Sequence, residues 1–102
     1  MTSENQHETS ILATEIFHAI RHCQYNQLDL YIRHNYNLNI TDKNGRNGLF
    51  YALDIKNSSK RHRMIRFCLD NGVDPLHRDI VNGYTIINEV MARQQLDTFE
   101  FL

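Results

Sequence analysis

No run of this chain is apolar for the roughly 20 residues that a bilayer-spanning helix needs. The opening residues, Met1 to Thr9, are polar and lack both a basic leader and an apolar core, so a secretory signal is not expected and a cytoplasmic protein is. Cysteine is scarce. Cys23 and Cys68 are too few for a disulfide framework, and each falls in a helical stretch, so free thiols in a reducing compartment are expected. Glycine is also thin: Gly45, Gly48, Gly72 and Gly83 cannot be written into Gly-x-x-x-x-Gly-Lys or Gly-x-Gly-x-x-Gly, which leaves no phosphate loop. Charge of one sign is missing too. A net charge of −1, with 23% charged residues, gives no global field to steer nucleic acid or membrane, so any electrostatic role must be local.

Catalytic signatures are absent in the same way. There is no Ser-centred nucleophile elbow, no Cys-x-x-Cys and no His-Glu-x-x-His, so neither an enzyme nor a cofactor is expected. His18 and His22 stand four apart beside Cys23, which is metal-ligand spacing on a helix. His7, His34, His62 and His77 are scattered singly, however, and a closed site needs four ligands, so solvated helix histidines and no metal are expected. The carboxylates Asp42, Asp54, Asp70, Asp74, Asp79, Glu89 and Asp97 read as turn caps and helix-surface groups.

What is present suits one small domain. A chain of 102 residues with 41% apolar content buries above about 60% of its unfolded surface on folding. Residues 1 to 9 read as a disordered polar tail, with Ser10 the first helix N-cap and Thr14-Glu15 a second candidate. Leu12, Ile16, Phe17, Ala19, Ile20 and Cys23 then form a helical stripe, and Tyr25, Leu28, Tyr31 and Ile32 form another. Two antiparallel helices follow, joined through Gln24 to Gln27 and ended at His34-Asn35, because Asn tolerates the left-handed conformation that stops a helix.

The cycle then restarts. Asn37 to Gly48 is rich in Asn, Asp and Gly and reads as an extended turn. Leu49, Phe50, Ala52, Leu53 and Ile55 predict a helix, and Ile65, Phe67, Cys68 and Leu69 predict its partner, stopped by Gly72 ahead of Asp74-Pro75. Gly83 to Leu102 repeats the first half of the cycle. Asn44-Gly45 and Asn82-Gly83 open the two similar phrases, at a spacing within the range of about 20 to 50 residues that marks repeat arrays.

On these residues the chain resembles the ankyrin-repeat family, whose pattern runs Asp-x-x-Gly-x-Thr-Pro-Leu-His-x-Ala-Ala and closes with Gly-Ala-Asp. Asp42-Lys43-Asn44-Gly45-Arg46-Asn47-Gly48-Leu49-Phe50-Tyr51-Ala52-Leu53 looks like the opening, and Asp70-Asn71-Gly72-Val73-Asp74-Pro75 looks like the close. In the first unit Ala19-Ile20 matches the small pair and Asn35-Tyr36-Asn37-Leu38-Asn39 the close. In the third, Gly83-Tyr84-Thr85-Ile86-Ile87 matches the opening, Val90-Met91 the small pair and Leu96, Phe99, Phe101 and Leu102 the second helix. The resemblance implies an all-α fold, a short ankyrin-like α-solenoid of stacked helix-turn-helix units with extended turn tips. Its units would be about 10–41, 42–79 and 80–102. The chain departs from the pattern where the family's bracing histidine is replaced by Phe50 and Asn88, and where about four extra residues fall near Asn57-Ser58-Ser59-Lys60.

The resemblance also implies a function: a non-enzymatic protein-protein interaction module, an adaptor or inhibitor, that binds a partner protein through turn tips and first-helix faces. Carried over position by position, the partner-binding residues are Arg21 and His22, then Lys43, Asn44, Arg46, Asp54 and Ile55. Val81, Asn82, Tyr84, Ala92 and Arg93 complete the set, with Arg46 and Tyr84 the expected hot spots. One local charge bias stands apart: Lys56, Lys60, Arg61, Arg63 and Arg66, with no acid between Asp54 and Asp70. It reads as a basic loop and outer helix face. Lys60-Arg61-His62-Arg63 also looks like a short nuclear-import signal, and such a patch could meet nucleic acid or an acidic partner, although no interleaved aromatic platform supports single-strand binding and nucleic acid is not the expected partner. The alternative function is a fragment or self-associating scaffold element, because Phe99 to Leu102 leave an apolar C-terminal end that would stack on further repeats or a second copy.

Overall fold

Strong apolar stripes, and polar residues that can cap or end a helix between them, produce six helices. They are α1 (Ser3–Arg21), α2 (Tyr25–Arg33), α3 (Gly48–Ala52), α4 (Ser58–Asp70), α5 (Ile86–Ala92) and α6 (Leu96–Phe101). The structure, a computed structural model, describes the backbone from Ser3 to Leu102 and the side chains from Ile11 onward. Among the described residues there is no strand, and the fold is all-helical.

Each helix boundary has a local cause. Asn35 and Gly72 end α2 and α4 in the left-handed region, at φ 65° and 89°. Around each, the same two bonds form: Tyr36 N–H to Tyr31 O and Asn35 N–H to Ile32 O, then Val73 N–H to Cys68 O and Gly72 N–H to Leu69 O. These satisfy carbonyls that would otherwise be orphaned at the helix end. At the start of α3 the Asn47 side chain accepts from the Leu49 N–H at 3.1 Å, and at the start of α4 Asn57 accepts from the Lys60 N–H at 2.9 Å. The turns joining α1 to α2 and α5 to α6 are built alike, with Cys23 and Gln94 both left-handed, at φ 55° and 59°.

Helix α1 packs on α2 and α3, α3 on α4 and α5, and α6 on both α4 and α5. The first helices of successive pairs, α1, α3 and α5, therefore lie in a row, and the molecule measures 43 × 31 × 19 Å. Ile16, Ile20, Leu28, Leu49, Leu53, Met64, Ile65, Ile86 and Val90 fill the space between pairs as one buried cluster. Each such side chain contributes roughly 1.5–3 kcal/mol by leaving water. Gly48 permits the approach of α3 to α1, since a Cβ there would lie 2.7 Å from Ile20 Cδ1.

Several expectations need correction. Ser10 does not begin a helix but lies inside α1, whose backbone starts at Ser3. Ser3 to Thr9 holds no glycine or proline and includes Glu4, Gln6 and Glu8, which favour helix. Met1 and Thr2 of the expected disordered tail lie outside the described residues. The basic loop is not a loop: once Asn57 caps α4, Ser58, Ser59 and Lys60 become its first turn. Helix α3 stops at Ala52, and Ile55 lies beyond it with its side chain in the core. The start of α3 is tied to the chain beyond α4 by Asn47, whose Nδ2 donates to the Asp74 carbonyl at 2.9 Å.

Candidate functional site

Two hairpin tips rise beside the row formed by α1, α3 and α5, and each is built on one aspartate. Asp42 Oδ1 accepts from the N–H of Asn44 at 2.8 Å and of Arg46 at 3.0 Å, while its own N–H donates to the Arg46 carbonyl. Asp79 Oδ1 accepts from the N–H of Asn82 and of Tyr84, both at 3.0 Å, and its N–H donates to the Tyr84 carbonyl. An Asx side chain thus closes each tip, and Gly45 and Gly83 take the left-handed positions inside it, at φ 77° and 69°. The tips are joined to each other by the Ile80 N–H, which donates to the Asn44 carbonyl at 2.8 Å.

Between the tips and the first helices runs a continuous line of alternating charges. Arg21 Nη2 meets Asp54 Oδ2 at 2.8 Å, and Asp54 Oδ1 meets Arg93 Nη1 at 2.8 Å. Arg93 Nε then meets Glu89 Oε2 at 2.9 Å, Glu89 Oε1 meets Arg46 Nη2 at 3.5 Å, and Arg46 Nε meets Asp79 Oδ2 at 3.4 Å. Cations and carboxylates balance along this line, which joins the end of α1, the turn after α3, helix α5 and the two tips. Arg21, Arg46, Asp54 and Arg93, with Asn44 and Tyr51, line a shallow cleft of about 170 Å³.

A larger groove of about 720 Å³ lies between α1 and the first tip, lined by His18, Arg21, Lys43, Asn44 and Tyr51 among others. Its floor is rigid. Phe17 and Tyr51 stack with ring centroids 4.3 Å apart and planes 3° from parallel, and the Arg21 guanidinium sits 4.9 Å from the Tyr51 centroid. The Tyr51 hydroxyl donates to Asp42 Oδ2 at 2.6 Å. Burial and this bond to a carboxylate together push the Tyr51 pKa up to about 12, so the hydroxyl stays a donor.

Asp79 is the electrostatic pivot of the second tip, with its carboxylate buried. Burial acts to raise its pKa, but the Tyr84 and Asn82 N–H groups and the Arg46 guanidinium outweigh burial and hold it below the ordinary carboxylate value. Burial raises the Cys68 thiol to about 12, which keeps it protonated. His18 and His22 face each other with ring centroids 4.3 Å apart, and among the described residues no group of three His, Cys, Asp or Glu is placed to hold a metal.

The structure therefore brings Arg21, Arg46, Asp54 and Arg93 together, with Lys43 and Asn44 exposed on the first tip and Val81 and Asn82 on the second. His22 and Ala92 are exposed at the ends of α1 and α5. Tyr84 is half-buried and serves its tip through its backbone. Ile55 does not belong to this face, being only 6% exposed, because the chain turns inward after α3. Of the basic residues, Lys56, Lys60 and Arg63 are exposed, but Arg61 is 7% exposed and structural. Its guanidinium donates to the carbonyls of Ile55 and Lys56, to Thr98 Oγ1 and to Asp97.

Sequence reasoning missed Glu89 and Asp79 as members of the charge line and Tyr51 as groove floor. Glu89 and Arg93 stand four apart, which was a legible helix pairing. No helix among the described residues is long and apolar enough to cross a membrane. No protein-family model matches the chain, and no curated protein matches it.

Proposed function

We propose that this chain is a divergent ankyrin-like repeat module that binds another protein through its tips and first-helix face, without catalysis. The observation that carries the reading is the charge line from Arg21 to Asp79. It runs from the end of α1 past the turn after α3 to α5 and on to both tips, and it fixes the donors and acceptors of that face in one register. A face whose side chains are already held loses little freedom when a partner docks, which favours recognition. The row of α1, α3 and α5, the matching turns at Cys23 and Gln94 and the matching Asp-closed tips support the repeat part of the reading. In this reading the partner enters the groove beside α1 and meets Lys43 and Asn44 at its rim.

Affinity capture from a native lysate tests it, with wild type compared against Lys43→Glu and Val81→Glu. Both side chains are exposed and outside the charge line, so the fold is expected to survive. Loss of the same captured protein from both variants is the expected result. Equal recovery on all three baits would contradict docking at the tips.

A second reading rests on a separate observation. Counted from the matching turns at Cys23 and Gln94, the helix stops at Asn35 and Gly72 and the helix starts at Asn47 and Thr85, Ile16, Leu49 and Ile87 are equivalent, as are Ile20, Leu53 and Met91, and Leu28, Ile65 and Phe99. The first two of each set are at most 2% exposed, whereas Ile87, Met91 and Phe99 are 45%, 59% and 46% exposed. The face that each earlier pair buries against its neighbour is thus open on the last, and a second copy stacked there would cover it. Light scattering over a concentration series tests this: a dimer that Met91→Glu dissociates supports it, and a monomer at every concentration removes it.

A further inference from the structure

Cations and carboxylates are divided unevenly between the two sides of the molecule. On the first-helix side Arg21, Arg46 and Arg93 each have a carboxylate within 3.5 Å. Beneath α4 the buried Arg61 has Asp97 at 3.2 Å. On the outward side of α4, Lys60, Arg63 and Arg66 are exposed, with exposed Lys56 just ahead of the helix, and among the described residues no carboxylate forms an ion pair with any of them. Arg61, Met64, Ile65 and Cys68 mark the buried side of α4, which puts Arg63 and Arg66, three apart, on the opposite crest.

These two arginines do not trail freely into solvent. The Arg63 guanidinium lies 4.8 Å from the ring centroid of Tyr25 on α2, and that of Arg66 lies 5.7 Å from the ring centroid of Phe101 on α6. The rings are themselves braced, Tyr25 edge-on against Phe67 and Phe101 in a stack with His62. A guanidinium seated on a ring keeps its N–H edge available for a carboxylate in bidentate geometry. Helices α2 and α6 thus each seat one guanidinium group of α4, and neither group has an ion-pair partner among the described residues.

We propose that the outward face of α4 is a second docking surface, for an acidic segment of a partner protein whose carboxylates pair with Arg63 and Arg66, with Lys60 and Lys56 extending the site along one edge. This goes beyond the tip face and does not depend on it. A carboxylate-bearing segment fits better than nucleic acid for two reasons. The aromatic faces that could stack bases are occupied by the guanidinium groups. The patch is also short, with Asp70 at the end of α4 and Glu100 on α6 exposed beside it, and a long phosphate backbone would run past these acids.

Fluorescence anisotropy on the full chain tests the proposal, with a labelled helical peptide of alternating Glu and Ala turns as probe. Labelled duplex DNA and single-stranded RNA serve as the competing classes. Binding of the peptide is expected to weaken about tenfold or more in Arg63→Glu/Arg66→Glu and to change less than about twofold in Arg33→Glu, an exposed cation at the end of α2 that belongs to neither face. If the charge reversal perturbs folding by circular dichroism, Arg63→Gln/Arg66→Gln replaces it and is expected to weaken binding in the same direction. Peptide binding that ignores both double variants would overturn the proposal, as would an absence of binding. Tighter binding of either oligonucleotide through Arg63 and Arg66 would assign the face to nucleic acid instead.

Discussion

The backbone N–H of Ile80 donates to the carbonyl of Asn44 at 2.8 Å, and this bond locks one hairpin tip against the other. It forms directly over Gly45, where a Cβ would lie 2.9 Å from Ile80 Cγ1 and 3.1 Å from Ile80 N. Gly45 also sits at φ 77°, which L side chains rarely adopt. Gly45→Ala is therefore expected to destabilise the fold by about 1–3 kcal/mol, combining strain and displacement of Ile80. Gly72→Ala, at φ 89° with open space around it, should lose only the conformational part, about 1 kcal/mol. Thermal melts of the two variants side by side make the check: Gly45→Ala melting as high as Gly72→Ala would mean the tips are not locked together.

Asp79 gives the fold an acid-sensitive component. Its folded-state pKa lies below the unfolded one, so its contribution is fully present above about pH 4 and is lost as pH falls through the lower, folded value. Asp79→Asn keeps an acceptor for the Tyr84 and Asn82 N–H groups but loses the charge that Arg46 meets. It is expected to be less stable at pH 7 by about 1–2 kcal/mol and to show a shallower decline in stability below about pH 4. Urea unfolding across that pH range reads both effects, and an unchanged acid limb would mean that Asp79 is not held in its charged form.

Arg61 and Arg63 are two residues apart in one basic run and have opposite roles. Removing the buried Arg61 side chain leaves the carbonyls of Ile55 and Lys56 without their side-chain donor and Asp97 without its cation, so Arg61→Ala is expected to cost about 2–4 kcal/mol. Arg63→Ala removes a surface cation and one ring contact and should cost less than about 1 kcal/mol. Equal melting temperatures for the two variants would contradict the structural role of Arg61.

Asp54 is shared by Arg21 and Arg93 and is partly exposed. Asp54→Ala should therefore cost no more than about 1 kcal/mol at low salt, and the difference should shrink at high salt as screening weakens the pairs. Melting curves at low and high ionic strength check this, and a salt-independent loss would point to packing as the cause.

What could be read in the chain beforehand follows the range of the interaction that decides each feature. The stops at Asn35 and Gly72 were legible because the left-handed conformation selects Asn and Gly directly. The stripes at Ile16, Ile20, Leu49 and Leu53 were legible because helical periodicity is local. Cys23 and Gln94 gave no such signal, since neither residue type favours a left-handed backbone and the matching turns are visible only in three dimensions. Arg61 was misread for a related reason: it shares the helical spacing of Met64, Ile65 and Cys68, but the partners that let a cation be buried there, Asp97 and Thr98, come from the distant α6. On the tip face, five of the expected residues met in one cleft, while Ile55 was lost because α3 ends earlier than its apolar pattern suggests.

Chemical-shift mapping with the captured protein partner reads the docking face residue by residue. Titration of isotope-labelled chain with that partner is expected to perturb the amides of Lys43, Asn44, Val81 and Asn82 and the end of α1 near Arg21 and His22. Perturbations absent from both tips, or confined to residues remote from α1 and the tips, would contradict docking on the first-helix side.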